Sequence, residues 1–156
     1  MFNIVLVHPQ IPPNTGNIGR LCVNTGSTLH LVKPLGFDIS QKAVKRAGLD
    51  YWEKLDLKVW DSLDELLHNC NLSRAFFATT KSSKPYFQVQ YQPGDFLFFG
   101  SETKGLPMEL MEKHWEHAVT IPMTKEGRSL NLAVSVGVIV YEGIRQNFKT
   151  FTEAMA

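Results

Sequence analysis

Short apolar runs alternate with segments of helical periodicity along the whole chain. Fully apolar runs are typical of central strands in a parallel sheet, because both faces of such strands are buried. The alternation therefore predicts an α/β fold with a mostly parallel sheet flanked by helices. Strands are predicted at residues 4–7, 28–32, 57–60, 74–78, 96–99 and 118–121.

Helices are predicted between these strands from capping residues and helix-ending glycines. Asn14 or Thr15 is expected to cap the first helix, and Gly26 to end it. Ser62, with Glu65 three residues later, forms a capping box that predicts a helix over residues 62–69. Two further helices are expected at residues 42–47 and 107–113.

Residues 130–148 carry a mixed pattern. Their β-branched valines and isoleucines favour a strand, whereas their length and amphipathic end favour a helix. We interpret the segment as a helix that is apolar on most sides. Such a helix is either deeply buried or packed in an interface.

Composition restricts the class of protein. The chain has 156 residues, of which 44% are hydrophobic and 20% charged, so we expect one globular domain over residues 1–156. No apolar run approaches the roughly 20 residues of a membrane span. The first residues already have a strand pattern, which disfavours a signal peptide. Cys22 and Cys70 are far apart and lack metal-ligand spacing. We therefore expect a cytoplasmic protein with no disulfide, no metal and no membrane association.

The net charge is only +1, but the charges are segregated along the chain. Basic residues dominate residues 1–49, and residues 74–92 contain no acid. A nearly neutral chain of this kind can present a basic face to phosphates. The candidate phosphate contacts are Lys42, Lys45, Arg46, Lys81 and Lys84.

The segment at residues 13–20, directly after the first strand, could bind a ligand. Its small residues permit close approach of a backbone, and a helix start offers free N–H groups, although capping alone also explains the pattern. A dinucleotide fold would need a third glycine here, and an acid where Lys33 stands. This observation disfavours a nicotinamide-dependent oxidoreductase.

Two further segments could carry chemistry. Residues 98–107 lead from an apolar strand through Gly100, Glu102 and Gly105 into a proline-started helix. Loops at strand ends are where open α/β sheets bind ligands, but an ordinary strand–helix turn fits as well. Residues 121–131 lead from Ile121 and a proline to Ser129-Leu130-Asn131, where Ser129 could simply cap the following helix.

Taken together, these segments resemble the SPOUT superfamily of methyltransferases over nearly the whole chain. The match is to its tRNA wobble-nucleotide (cytidine/uridine) 2'-O-methyltransferases. It rests on Ile11–Ile18 with Arg20-Leu21-Cys22, on Arg46–Tyr51, on Phe99–Pro107, on Ile121-Pro122-Met123, on Ser129–Leu132 and on Val140–Glu142. Ser101, Lys104, Ala133 and Val134 depart from the usual residues of the family.

The resemblance implies a C-terminal trefoil knot from about residue 74 onward, S-adenosylmethionine as methyl donor, and a homodimer with the active site at its interface. It also implies the tRNA anticodon stem-loop as substrate, with the wobble nucleotide of leucine tRNAs as target. The residues expected to bind the cofactor are Ala78, Thr79, Gly100, Glu102, Gly105, Ile121, Ser129 and Leu130.

By the same resemblance, Arg20 and Asn131 are the expected catalytic residues. A guanidinium is effectively always charged, so we interpret Arg20 as a phosphate clamp and charge stabiliser rather than a base. Asn131 would orient the hydroxyl or Arg20. Two alternatives stay open: 2'-O-methylation of a different RNA, and a catalytically inactive knotted module that binds RNA.

Overall fold

The computed structural model describes residues 1–40 and 51–155. In these ranges it contains a six-stranded sheet in which every neighbouring pair is parallel. The order across the sheet is β3-β2-β1-β5-β4-β6. The strands are β1 (Asn3–Val7), β2 (Thr28–Val32), β3 (Leu57–Trp60), β4 (Ala75–Ala78), β5 (Phe96–Phe99) and β6 (Ala118–Val119).

The sheet is flanked by helices on both faces, as the sequence predicted. The α/β architecture and the strand positions are confirmed, except that β6 is shorter than expected. The predicted helix at residues 42–47 lies outside the described residues. The helices of the described ranges are α1 (Pro12–Thr25), α2 (Leu63–His68), α3 (Met108–Lys113), α4 (Leu132–Gln146) and α5 (Phe148–Met155).

Alternate residues of the central strands supply two separate cores, because successive side chains in a strand point to opposite faces. Ile4 and Leu6 of β1 belong to the cluster that also contains buried residues of α1 and α4. Val5 and Val7 belong to the cluster with Leu66 of α2 and residues of α3. The chain therefore buries both faces of the sheet, which accounts for the continuous apolar strands.

The prediction that Asn14 or Thr15 caps α1 was wrong. The helix already begins at Pro12, with Ile11 at its N-cap and no side-chain cap bond. Proline is suited to a first helical position, because its missing N–H would have no partner there and its φ is already helical. The predicted end at Gly26 is confirmed, and its φ of 62° is in the left-handed region.

The ambiguous segment at residues 130–148 is confirmed as a helix, α4. It is shorter than expected: α4 ends at Gln146, and α5 begins at Phe148. Asn147 separates them, and its side chain donates to the carbonyls of Gly143 and Tyr91. Ser62 caps α2 through the backbone N–H of Glu65, as predicted. Within the described residues, no helix has the length and apolar character needed to cross a membrane.

The strand order brings the loops of β1 and β5 together. From β1 the chain moves to β2 and β3 on one side, while β5, β4 and β6 lie on the other. Ligands of open α/β sheets bind beyond the carboxyl ends of the strands at such a reversal. The loops after β1 and β5 are those that begin the first two candidate segments.

Candidate active site

A cavity of about 550 Å³ lies beyond the carboxyl ends of β4, β5 and β6. Its walls come from residues 78–81 at the end of β4 and after it, and from residues 99–106 around the end of β5. Thr120, Ile121 and Met123 after β6 and residues 129–132 with Ser135 at the start of α4 complete them. Ile11 and Asn14 add a wall from the start of α1. The volume falls within the roughly 300–1,000 Å³ of small-molecule sites.

The loop after β5 folds back on itself at Gly100. Ser101 and Gly105 form an antiparallel bridge, in which the Gly105 N–H donates to the Ser101 carbonyl at 3.0 Å. A Cβ on Gly100 would lie 2.0 Å from the carbonyl carbon of Gly105, so only glycine fits. Gly105 itself has a φ of 69°, in the left-handed region. The shape of the loop therefore requires glycine at Gly100 and favours it at Gly105.

Glu102 ties this loop to the start of α1. Its carboxylate accepts hydrogen bonds from the backbone N–H groups of Gln10 (2.8 Å) and Ile11 (2.9 Å), and from Asn14 Nδ2 (3.2 Å). A carboxylate suits this position because it is acceptor-only and can serve several donors. Glu102 borders the cavity, but these bonds are made to the protein.

Asn14 also joins the third segment. Its Oδ1 accepts from Asn131 Nδ2 at 3.1 Å, while Asn131 Oδ1 caps α4 by accepting from the Val134 N–H at 3.2 Å. Asn131, and not Ser129, is therefore the cap of α4. Hydrogen bonds between Glu102 and Asn14 and between Asn14 and Asn131 thus connect the three candidate segments directly. These segments lie far apart along the chain and meet at one site.

The cavity has an apolar side and a polar side. Leu106, Met111 and Leu132 are buried and form apolar wall, whereas Thr79, Ser129 and Ser135 present hydroxyl groups. The exposed side chains of Lys81 and Lys104 add positive charge to the lining. Within the described residues, no group of His, Cys, Asp and Glu is arranged to hold a metal ion.

The structure brings most of the predicted site residues together. Those that line the cavity are Ala78, Thr79, Lys81, Gly100, Glu102, Gly105, Ile121, Ser129, Leu130 and Asn131. Lys42, Lys45 and Arg46 lie outside the described residues. Lys84 is half-buried, and its Nζ donates to the Glu116 carbonyl at 2.6 Å, which reduces its value as a phosphate contact.

Arg20 is set apart from the cavity of its own chain. It lies on the exposed face of α1 with Pro13, Asn17 and Asn24, and the described lining residues do not include it. Its guanidinium carbon is 5.0 Å from the ring centroid of Tyr51.

Sequence reasoning missed Asn14 as a site residue because a side chain at a helix start was explained by capping. It also missed Lys104 in the lining, and it did not consider Arg128, the exposed sequence neighbour of the lining residue Ser129. The sequence signal for Asn14 was its place after Pro12 and Pro13. Prolines at a helix start have no N–H that needs a cap, so the asparagine is free for another role. Nothing in the local pattern distinguished Lys104 or Arg128 from solvating charges.

Comparison with known proteins shows where this arrangement belongs. Residues 1–141 match the family described as the SpoU rRNA Methylase family. The chain belongs to this family. The superfamily resemblance drawn from the sequence is thereby confirmed, and the chain is a methyltransferase.

Individual relatives agree in sequence and in shape. The tRNA (cytidine(34)-2'-O)-methyltransferase of Aeromonas hydrophila is 50% identical over 147 residues, which are 94% of each chain. A solved structure described as giving structural insights into the 2-OH methylation of C/U34 on tRNA superposes with a TM-score of 0.91 at 41% identity. It covers 96% of this chain and 97% of the other.

A more distant structure shares the fold. The AdoMet-bound rRNA methyltransferase from Sinorhizobium meliloti has a TM-score of 0.82 at 21% identity. The match covers 92% of this chain and 56% of the other.

Proposed function

We propose that this chain transfers a methyl group from S-adenosylmethionine to the ribose 2'-hydroxyl of nucleotide 34, a cytidine or uridine, in cytoplasmic tRNA. A single domain over residues 1–156 would do this. The observation that carries the proposal is the cavity built from three hydrogen-bonded loops, in a family member that is 50% identical to a tRNA (cytidine(34)-2'-O)-methyltransferase.

The cavity fits the proposed cofactor in size and in chemistry. The apolar wall of Leu106, Met111 and Leu132 suits a purine ring, and the hydroxyl groups of Thr79 and Ser129 suit a ribose. Gly100 and Gly105 bring backbone groups close to a ligand because neither carries a Cβ. When bound, S-adenosylmethionine would supply an activated methyl group on a sulfonium. We retain the trefoil knot as part of this proposal, since the resemblance implies it and the chain belongs to the matched family.

The protein's own residues would prepare the acceptor. A ribose 2'-hydroxyl is a weak nucleophile and loses its proton as the new oxygen–carbon bond forms. Arg20 would hold the adjacent phosphate and stabilise the developing negative charge, and the phosphate or a water molecule would take the proton. Asn131, already fixed by Asn14, would orient the reacting groups.

A second copy of the chain would complete the site. Val134 and Tyr141 stand seven residues apart on one face of α4, and Phe148 begins α5; their side chains are 52%, 48% and 57% exposed. Large exposed apolar side chains favour burial against a partner. Since Arg20 lies outside its own chain's cavity, we propose a homodimer in which Arg20 of one copy serves the cavity of the other.

The RNA would be held by phosphate contacts around the cavity opening. Lys81 and Lys104 line the cavity and are exposed, and Arg128 is the exposed sequence neighbour of the lining residue Ser129. A 2'-hydroxyl distinguishes RNA from DNA, so the target atom requires an RNA substrate. Replacing Lys81 and Arg128 by glutamate should weaken RNA binding and flatten its dependence on salt.

The deciding experiment is methyl transfer from labelled S-adenosylmethionine to tRNA that lacks this modification, followed by mass spectrometry of the nucleosides. We expect a 2'-O-methylated nucleotide 34, with leucine tRNAs among the substrates. A tRNA with a 2'-deoxy nucleotide at position 34 is the matched control and should accept no methyl group. Transfer to another RNA only would overturn the proposed substrate, and absence of cofactor binding would overturn the proposed reaction.

A further inference from the structure

The contact between Arg20 and Tyr51 is set up by the packing beside it. Tyr51 is half-buried and precedes a 3₁₀ turn, Trp52–Lys54. This turn packs against α1 at Gly19, where a Cβ would lie 3.2 Å from Leu55 Cδ2 and 3.3 Å from the Trp52 ring. Leu55 in turn packs against the core cluster of α1 and α4. The close approach at Gly19 thus fixes the turn next to the residue that carries the guanidinium.

The turn is also held by its own backbone. The Lys54 N–H donates to the Tyr51 carbonyl at 2.9 Å, and the Leu55 N–H donates to the Trp52 carbonyl at 3.2 Å. These bonds fix the backbone from Tyr51 to Leu55, and with it the point from which the Tyr51 side chain reaches the guanidinium. The guanidinium carbon lies 5.0 Å from the ring centroid, within the range of a cation–π contact.

This mode of holding an arginine differs from the ion pairs elsewhere in the protein. Arg74 donates to the Asp95 carboxylate, and Arg145 donates to the Glu142 carboxylate. Within the described residues, the Arg20 guanidinium makes no hydrogen bond or ion pair. An aromatic face attracts the cation without accepting its N–H groups, so these donors stay available for an anion such as phosphate.

We propose that Tyr51 is a positioning residue that holds Arg20 in place for the transfer reaction. The inference rests on the function proposed above. Tyr51 limits the rotamers of a long side chain on an open helix face, and it does so without neutralising the charge. The aromatic ring carries this role, and the phenolic hydroxyl is not needed for it.

Kinetics of two substitutions test the role. Tyr51→Leu removes the ring, and we expect kcat to fall about five-fold, in line with the strength of an exposed cation–π contact. The KM for S-adenosylmethionine should not change, since Tyr51 does not line the cavity. Tyr51→Phe keeps the ring and should keep kcat within about two-fold of wild type. Tyr51→Phe should unfold at the wild-type temperature, and Tyr51→Leu about 2–4 °C below it because the contact is lost, so both variants stay folded in the assay.

A spectroscopic measurement tests the contact itself. The aromatic ring should shift the NMR resonance of the Arg20 Nε proton upfield in the wild type and in Tyr51→Phe, and the shift should disappear in Tyr51→Leu. A Tyr51→Leu variant that is folded and fully active, or a Tyr51→Phe variant as impaired as Tyr51→Leu, would overturn the positioning role alone. A wild-type chain that transfers no methyl group would overturn the proposed function, and this role with it.

Discussion

Gly100 and Gly105 lie in one loop, but their surroundings differ. A Cβ on Gly100 would meet backbone atoms at 2.0 and 2.2 Å, whereas a Cβ on Gly105 would meet nothing within 4 Å. We therefore expect Gly100→Ala to open the loop and weaken S-adenosylmethionine binding more than ten-fold, measured by calorimetry. Gly105→Asn is the matched control, because asparagine tolerates a positive φ, and it should cost less than about 1 kcal/mol of stability.

At the residue scale, the sequence predicted most of the positions that border the cavity, and the roles assigned to them stay predictions. Gly100 stood out because glycines, an acid and a proline are rarely so close in an ordinary turn. A Cβ on Gly100 would meet the backbone of Gly105, which comes close through the Ser101–Gly105 bridge. The sequence pattern does not predict that bridge. Glu102 was expected to bind the cofactor, and this role stays a prediction. Its hydrogen bonds to the loop after β1 could not be predicted, because Gln10 and Ile11 are some 90 residues away in the chain.

His30 joins three strands and provides a test at the level of elements. Its Nδ1 accepts from Trp60 Nε1 at 3.0 Å, and its Nε2 lies 2.9 Å from Asn3 Oδ1, which assigns the proton of the neutral ring to Nε2. Burial, aided by Lys58 and opposed by Asp56, lowers the pKa of His30 to about 4. Protonation of Nδ1 would also displace the Trp60 donor.

Stability should therefore depend on pH through His30. The unfolded chain takes up a proton below about pH 6.5 and the folded chain does not, so this contribution is complete above 6.5 and is lost as the pH falls towards 4. We expect a loss of about 2–3 kcal/mol from this residue. Urea unfolding at pH 7 and pH 4.5 should show a smaller decrease for His30→Gln than for wild type. Equal decreases would show that His30 is not the group responsible.

Glu102 links two elements, and its removal should loosen both. Glu102→Gln places an amide NH₂ where one of the backbone N–H groups of Gln10 and Ile11 needs an acceptor. Loss of a charge-assisted bond should lower the free energy of unfolding by about 1.5–3 kcal/mol. Glu112→Gln, on the exposed side of α3, makes the same chemical change and should be neutral in chemical denaturation. Equal stability of both variants would contradict the linking role.

The helices show where local patterns are sufficient. Ser62 and Gly26 act as predicted, because a cap depends on residues within one turn of it. The start of α1 was predicted too late, because Asn14 reads locally as a cap but is bound by Glu102 and Asn131. At the break between α4 and α5, the Asn147 side chain donates a hydrogen bond to the Tyr91 carbonyl. Tyr91 lies outside residues 130–148, so the pattern of that segment could not predict this contact.

At the scale of the whole molecule, the sequence pattern predicted a parallel α/β sheet but not its strand order. Apolar runs reveal that a strand is buried, and they do not reveal which neighbours it has. Because all neighbouring strands are parallel, the three candidate segments follow β1, β5 and β6 at the same edge of the sheet, and the reversal makes β1 and β5 neighbours. The pattern also predicted that the long apolar helix packs deeply or in an interface. In the single chain the deep packing is confirmed, with Val136 and Val140 fully buried, whereas Val134 is exposed and the interface stays a prediction.

Subunit complementation decides whether one site uses two chains. Arg20→Ala and Asn131→Ala chains should each be inactive alone, because every site of either homodimer lacks one of the two residues. A heterodimer purified through two different tags would contain one intact site if Arg20 serves the partner's cavity, so about half of the wild-type activity should return. If Arg20 acts within its own chain, both sites stay defective and no activity returns.

The exposed apolar side chains of α4 provide a second test of the dimer. Tyr141→Glu places a charge among them and should yield inactive monomers in light scattering. Glu112→Lys, on the exposed side of α3, is the control and should leave the dimer intact.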